Sequence, residues 1–286
     1  MRVISIINLK GGVGKTFTAA NMAYILNGRG YSVLLVDNDK QGNLSKQFGA
    51  YEGATEPGTS RLLRGWYKDI NDVRRALPAY ACMDIITANM QLLQTTHDIA
   101  RTDDADQVER FKPLLQAYPL EQEKPYDFCI IDNPPDLGLN VLNALVITDD
   151  VIVPTKIDKW GLEGLETIIG QVEELKQVNN KISFLGTVVT MYKNNDTNNS
   201  GLELLRQEGY KPFDTCIRFS DKAVDSTFFD TPVTAYSPRS GAAQSYKKFV
   251  NEYLEKIAYM EYLESPVSKH LEKMEKAYEI SKGGIN

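Results

Sequence analysis

The sequence predicts an α/β protein: a doubly wound, mostly parallel sheet with helices on both faces. Three observations predict it. Short apolar runs of strand length alternate with apolar-periodic segments of helix length along most of the chain. Most of the runs end in polar or glycine-rich sequence, which is where open α/β sheets gather their functional residues. No Pro/Gly/Ser-rich linker interrupts the series across 286 residues, so one domain is expected over residues 1–264, followed by a helical extension at 265–286.

The first run, Val3 to Ile7, leads into Asn8-Leu9-Lys10-Gly11-Gly12-Val13-Gly14-Lys15-Thr16, and an apolar-periodic helix from Phe17 to Leu26 follows. Glycines at a strand-to-helix turn let backbone N–H groups converge on an anion, and the helix start adds the positive end of its dipole. This is a phosphate-binding loop of the P-loop NTPase class. Gly11, Gly12, Val13, Gly14 and Phe17 are the expected cradle, Lys15 reaches the β and γ phosphates, and the Thr16 hydroxyl suits a hard cation. The ligand is therefore a nucleoside triphosphate with Mg²⁺. The strict pattern asks for glycine where Leu9 stands, and Lys10-Gly11-Gly12 replaces it.

A second strand, Ser32 to Val36, ends in Asp37-Asn38-Asp39-Lys40-Gln41-Gly42-Asn43, placing two carboxylates at the same sheet edge. Residues 49–125 form a variable region with a short helix Thr59–Trp66, a strand Met83–Thr87 and a charged helix around Asp104–Ala117. A buried strand, Asp127 to Ile131, then ends at Asp132-Asn133-Pro134-Pro135, where Asp132 stands as the second metal-site carboxylate, acting through water. A helical segment, Leu137–Leu145, is followed by a strand Val151–Val153 and a helix from Gly161 to about Asn179. Strands at Ile182–Thr190 and about Phe213–Ile217, and a helix after Ser240, complete the domain.

Asn-x-Lys-Gly-Gly-Val-Gly-Lys-Thr resembles the deviant Walker A loop of the ParA/MinD ATPases, and the likeness continues over residues 1 to 256. Asp37 to Asn43 resembles that family's Asp-x-Asp-Pro-Gln-Gly-Asn, with Lys40 in place of proline. Asp132-x-Pro134-Pro135 with Leu142-Asn143-Ala144-Leu145 is similar to its switch II. Tyr236 to Lys248 is similar to its last helix start. The resemblance implies an ATPase of the ParA/Soj type that uses ATP and Mg²⁺, with Lys10, Lys15 and Asp39 catalytic. Lys10 would act across a homodimer on the partner's phosphates, and Asp39 would position the attacking water. Met191 and Arg218 would lie near the adenine, although the family's proline is missing before Arg218 and Lys156 and Asp158 depart from its Gln and Glu. Nonspecific double-stranded DNA would be held by Arg218, Lys222, Lys247 and Lys248, and a ParB-like centromere-binding partner would stimulate hydrolysis.

Charge does not advertise nucleic-acid binding by itself: the net charge is -6 and the pI about 5.2. Duplex affinity needs a local basic patch, and Asp214, Asp221, Asp225 and Asp230 lie among the candidate cations Lys211, Arg218, Lys222 and Arg239. The sequence has no apolar run of spanning length and no secretory leader pattern, so a cytoplasmic, nucleoid-associated protein is expected, with no membrane partner. Cys82, Cys129 and Cys216 are scattered singly, which disfavours disulfides, zinc and an iron–sulfur cluster.

Other readings share the loop. A MinD-like positioning ATPase would need an amphipathic membrane helix; the segment Val267–Ile280 has the apolar spacing, but its lysines are balanced by glutamates. A tyrosine kinase would use the C-terminal tyrosines, of which Tyr246, Tyr253, Tyr259, Tyr262 and Tyr278 fall in helix-forming sequence. A ligase-like P-loop enzyme would need a substrate motif beside the γ-phosphate.

Overall fold

The computed structural model describes residues 1–102, 106–119, 124–158 and 164–265. Strand β1 (Arg2–Ile6) leads through the glycine loop to α1 (Lys15–Asn27), then β2 (Val33–Asp37), α2 (Asn43–Gln47) and α3 (Gly58–Arg64). Strands β3 (Arg75–Ala76) and β4 (Met83–Ile86) precede α4 (Gln91–Ala100), β5 (Phe128–Asp132) and α5 (Leu139–Val146). The chain continues with β6 (Asp150–Lys156), α6 (Leu165–Leu175), β7 (Ser183–Thr190), α7 (Asp196–Gln207), α8 (Asp221–Phe228), α9 (Val233–Tyr236) and α10 (Gly241–Glu264).

The strands form one sheet in the order β3-β4-β2-β5-β1-β6-β7. All neighbours are parallel except the short edge pair β3–β4. The alternation of side chains along β1 explains why both faces are covered. Ile4 and Ile6 face a core shared with Ala19, Ala23, Leu26 and the α10 residues Tyr246, Phe249 and Tyr253. Val3 faces the opposite core, with Leu62, Leu92, Phe111 and Ile131. Register aligns the strand ends that matter: Ile6 and Asp37 both pair with Asp132. The loops after β1, β2 and β5 therefore leave the sheet side by side, at a topological switch point.

Helix α10 is fastened to β6 and to α1. Tyr253 donates to Asp150 at 2.9 Å, beside the Arg2–Asp150 ion pair, and the Tyr246 and Thr18 hydroxyls share a hydrogen bond of 3.0 Å.

Two sequence expectations change. Of the helix expected around 104–117, the described part holds only a 3₁₀ turn, Lys112–Gln116, in which Pro113 lacks a donor and restricts its neighbour. Phe111 and Leu114 are buried at the three-residue spacing of that turn. Just before it lies a helix not expected from the sequence, α4, whose buried stripe of Leu92, Thr95 and Ile99 is masked in sequence by the threonine. The strand expected at about 213–217 is instead an irregular segment hydrogen-bonded to β7 at intervals, through Phe213 N to Thr187 O and Ile217 N to Val189 O. Glu252 on α10 accepts the amides of Asp214 and Thr215, at 2.6 and 2.9 Å, and so pulls them out of the ladder. The expected helix start at Gly161 and the segment Val267–Ile280 lie outside the described residues. Among the described residues no helix is long and apolar enough to cross a membrane.

Candidate functional site

The glycine loop is shaped by two left-handed residues, Gly12 (φ 71) and Gly14 (φ 87). A Cβ at Gly12 would meet nothing within 4 Å, so its glycine answers to backbone conformation and not to crowding. Gly14 is the N-cap of α1, which begins with no side-chain cap and no acidic residue in its first turn. Its leading N–H groups are thus available to an anion. Asn8, 1% exposed, braces the loop: its Oδ1 accepts from Lys10 N at 2.8 Å and its Nδ2 donates to Pro154 O at 2.8 Å. Thr190 at the end of β7 donates to Val13 O at 2.8 Å.

The loop opens into a cavity of about 790 Å³. Gly11, Gly12, Gly14, Lys15, Thr16 and Phe17 form its floor. Asp39 stands on one wall; Met191, Arg218 and Phe219 stand on another. The structure thus brings together most of the residues expected to hold a nucleotide. Val13 turns into the core instead, at 1% exposure. Met191 has a left-handed backbone (φ 52), and Tyr192 N and Phe219 N alternate in bonds with Ile217 O and Tyr192 O, which fixes the end of β7 against the Arg218 segment.

Lys15 is 8% exposed and donates to Lys10 O at 3.0 Å. Burial lowers its pKa, and the charges of Asp132, Asp39 and Asp136 oppose that shift. Lys10 turns the other way: its ammonium pairs with Asp158, in the loop after β6.

Asp132 is 1% exposed, and both of its carboxylate oxygens are buried without a hydrogen-bond partner. Burial pushes its pKa well above the usual carboxylate range. Asp37 and Asp39 push it further, while the Thr16 hydroxyl and Lys15 oppose the rise. An orphaned carboxylate beside a hydroxyl and a lysine fits a hard cation, which would supply the missing charge. Among the described residues no group of three or more His, Cys, Asp or Glu forms a cage. A magnesium ion would hence draw its remaining ligands from phosphate and water, as this ion commonly does.

Asp37, fully buried, is raised by burial to about 6 although Ser45 donates to it from both amide (2.8 Å) and hydroxyl (2.7 Å). Asp39 N donates to Asp37 Oδ1 at 3.2 Å, so Asp37 holds the turn that presents Asp39. Sequence reasoning missed this bracing role, and missed the buried amide lattice of Asn38, Asn133 and Asn140 that ties the β2 and β5 loops together. Asparagines directly after two strand ends were the available signal.

The expected DNA contacts lie apart from the cavity floor. Arg218 is shared between the cavity and a cleft of about 410 Å³ that Lys248 also lines. Lys247 donates to Pro238 O at 3.3 Å, and Lys222 is paired with Asp225 at 2.9 Å. Of the C-terminal tyrosines, Tyr246 and Tyr253 are buried, while Tyr259 and Tyr262 are exposed. The three cysteines form no disulfide with one another: Cys129 is buried, Cys82 and Cys216 half-buried.

A parallel sheet whose first strand feeds a lysine-preceded double-glycine loop, with carboxylates at the ends of the next two strands inward, defines a P-loop nucleoside triphosphatase of the deviant-loop class. Residues 1–184 match the AAA domain family. The chain is 32% identical to the chromosome partitioning protein ParA of Caulobacter vibrioides over 263 residues, covering 89% of this chain and 94% of that protein. It is also 32% identical to the chromosome-partitioning ATPase Soj of Treponema pallidum, covering 88% and 96%. The chain belongs to the ParA/Soj family. Among solved structures, cobyrinic acid a,c-diamide synthase from Mycobacterium smegmatis with bound ATP analog and magnesium superposes with a TM-score of 0.74 at 25% identity, covering 89% of this chain and 94% of that one.

Proposed function

We propose that this protein is an ATP-hydrolysing DNA-partition protein that works as an ATP-closed homodimer on nonspecific duplex DNA. One observation carries the reading. In a chain this similar to ParA and Soj, Lys15, Thr16 and Asp39 line one cavity, and the orphaned Asp132 ends the strand next to the one that feeds the glycine loop. Lys15 and the α1 N-terminus hold the phosphates. Thr16, and Asp132 through water, would hold Mg²⁺, which would supply positive charge against that developing on the transferred phosphoryl group. Asp39, presented by Asp37, orients water in line with the terminal phosphate. Lys10 leaves Asp158 and completes the partner subunit's site.

The closed dimer presents Arg218, Lys247 and Lys248 to DNA. A ParB-like centromere-binding protein stimulates hydrolysis, which releases the dimer, and the protein is accordingly nucleoid-associated. The test is binding to nonspecific duplex DNA with ATP, ADP and no nucleotide across a salt series, with Lys247→Ala/Lys248→Ala as control. Binding that needs ATP, weakens with salt and is lost in the control is expected. Absence of binding in every nucleotide state would favour positioning of a membrane or protein cargo.

A further inference from the structure

Helix α2 forms a side of the cavity that neither the glycine loop nor the β7 end accounts for. It is held rigidly. Gly42 starts it in the left-handed region (φ 63), and a Cβ there would lie 2.6 Å from both the Ala88 carbonyl oxygen and the Tyr51 ring. Ser45 donates twice to Asp37, and Ala88 N donates to Ser45 Oγ at 3.0 Å. These buried bonds oppose rotation of α2, so the face it turns to the cavity, with Asn43, Lys46 and Gln47, is set by the fold.

Lys46 is already engaged: its ammonium donates to Gln41 O at 2.8 Å and lies 4.8 Å from the centre of the Tyr51 ring. Gln47 differs. It is 6% exposed, it lines the cavity, and its Nε2 is buried with no hydrogen-bond acceptor in the protein. Buried donors are nearly always paired, and an unpaired one on a side chain that lines a ligand cavity is the pattern of a group whose acceptor arrives with the ligand.

We propose that Gln47 is a further nucleotide-binding residue, its Nε2 donating to an oxygen of the polyphosphate–ribose stretch of the bound nucleotide. This rests on the reading of the cavity as an ATP site. The sheet order argues against a base contact. Gln47 follows β2, whereas Met191 and Phe219 lie beyond β7, and β5, β1 and β6 separate those two strands. The loop follows β1, between those two strands, so the acceptors nearest the α2 side are those at the phosphate end of the nucleotide.

The experiment measures binding of Mg·ADP and of a Mg·non-hydrolysable ATP analogue to the full chain, together with its ligand-free Tm. It compares wild type with Gln47→Leu and Gln47→Met. Both substitutions replace an amide whose buried Nε2 is unpaired by an apolar group of similar size, so the ligand-free Tm should hold or rise. Affinity for both nucleotides should fall about tenfold, the loss expected for one hydrogen bond to a charged or strongly polar acceptor. Gln47→Glu, which replaces the donor with a negative acceptor, should bind more weakly still. Wild-type affinity in both apolar variants overturns the proposal, as does a lowered ligand-free Tm with unchanged affinity, which marks a structural role. If wild type itself binds neither nucleotide, the ATP reading falls, a result distinguishable from the others.

Discussion

Lys10 is ion-paired with Asp158 of its own chain, bridging the loops that follow β1 and β6, with the two side chains 29% and 30% exposed. The lysine proposed to act on a partner's phosphates is thereby held in cis while its own carbonyl accepts from Lys15. Such a part-exposed pair is worth about 0–1 kcal/mol, so a partner's triphosphate can displace it. Lys10→Ala should abolish partner-stimulated hydrolysis, since a charge supplied in trans can be worth about 10³ to 10⁵ in rate. Asp158→Asn should instead tighten ATP-dependent dimerisation by up to about thirtyfold, since two such pairs open per dimer at up to about 1 kcal/mol each. Sedimentation with a non-hydrolysable analogue checks it; identical dimer affinity in both proteins would remove the latch.

Asp132 argues for a second, opposite pair of effects from one substitution. Asp132→Asn removes a buried carboxylate that has no hydrogen-bond partner, so the ligand-free protein should gain thermal stability at pH 8. The same change removes a charge that a cation needs, so the extra Tm increment that Mg²⁺ adds to ADP should shrink or vanish. A variant that keeps the full Mg²⁺ increment would exclude Asp132 from the metal site.

The pH dependence follows from Asp37, whose carboxyl is raised from 3.8 to about 6 by burial. The folded state binds this proton more tightly than the unfolded chain. Its contribution to stability is therefore fully present below about pH 4 and is lost as pH rises through about 6. The loss is about 3 kcal/mol, at about 1.4 kcal/mol for each tenfold difference in proton affinity between the two states. Ser45→Ala removes a hydroxyl that favours the ionised form, so its destabilisation, about 1.5–3 kcal/mol at pH 8, should narrow at pH 5. Urea unfolding of both proteins at the two pH values checks the sign. A gap that widens toward acid contradicts it.

The sheet, the loop and the carboxylates were legible because each is written locally: an apolar run, then glycines or aspartates. Asp39 and Asp132 could be placed from strand ends alone, since parallel strands deliver their loops to one edge. What stayed hidden depends on pairing across long separations. Gln47 reads as an ordinary polar helix residue until α2 is seen anchored to Asp37 and Ala88. The Lys10–Asp158 contact joins residues far apart in sequence, and no pattern in either segment announces it. The segment at 213–217 has strand composition, yet Glu252 from the last helix takes its amides. Helix α4 escaped because Thr95 occupies a core position and breaks the apolar period.

The basic residues near α10 should not contribute equally to DNA binding. Lys222 sits on α8 beside Asp221 and is paired with Asp225, which offsets its charge where it stands. Lys248 is exposed and shares a cleft with Arg218 at the start of α10. Each DNA phosphate that a side chain no longer neutralises reduces the slope of log affinity against log salt by about 0.9. Lys248→Ala should therefore flatten the salt dependence of ATP-dependent duplex binding by about that amount per subunit. Lys222→Ala should leave it within about half of that, because the paired lysine releases few counterions. Equal flattening by the two substitutions would place α8 on the DNA as well and would require the Lys222–Asp225 pair to open when DNA binds.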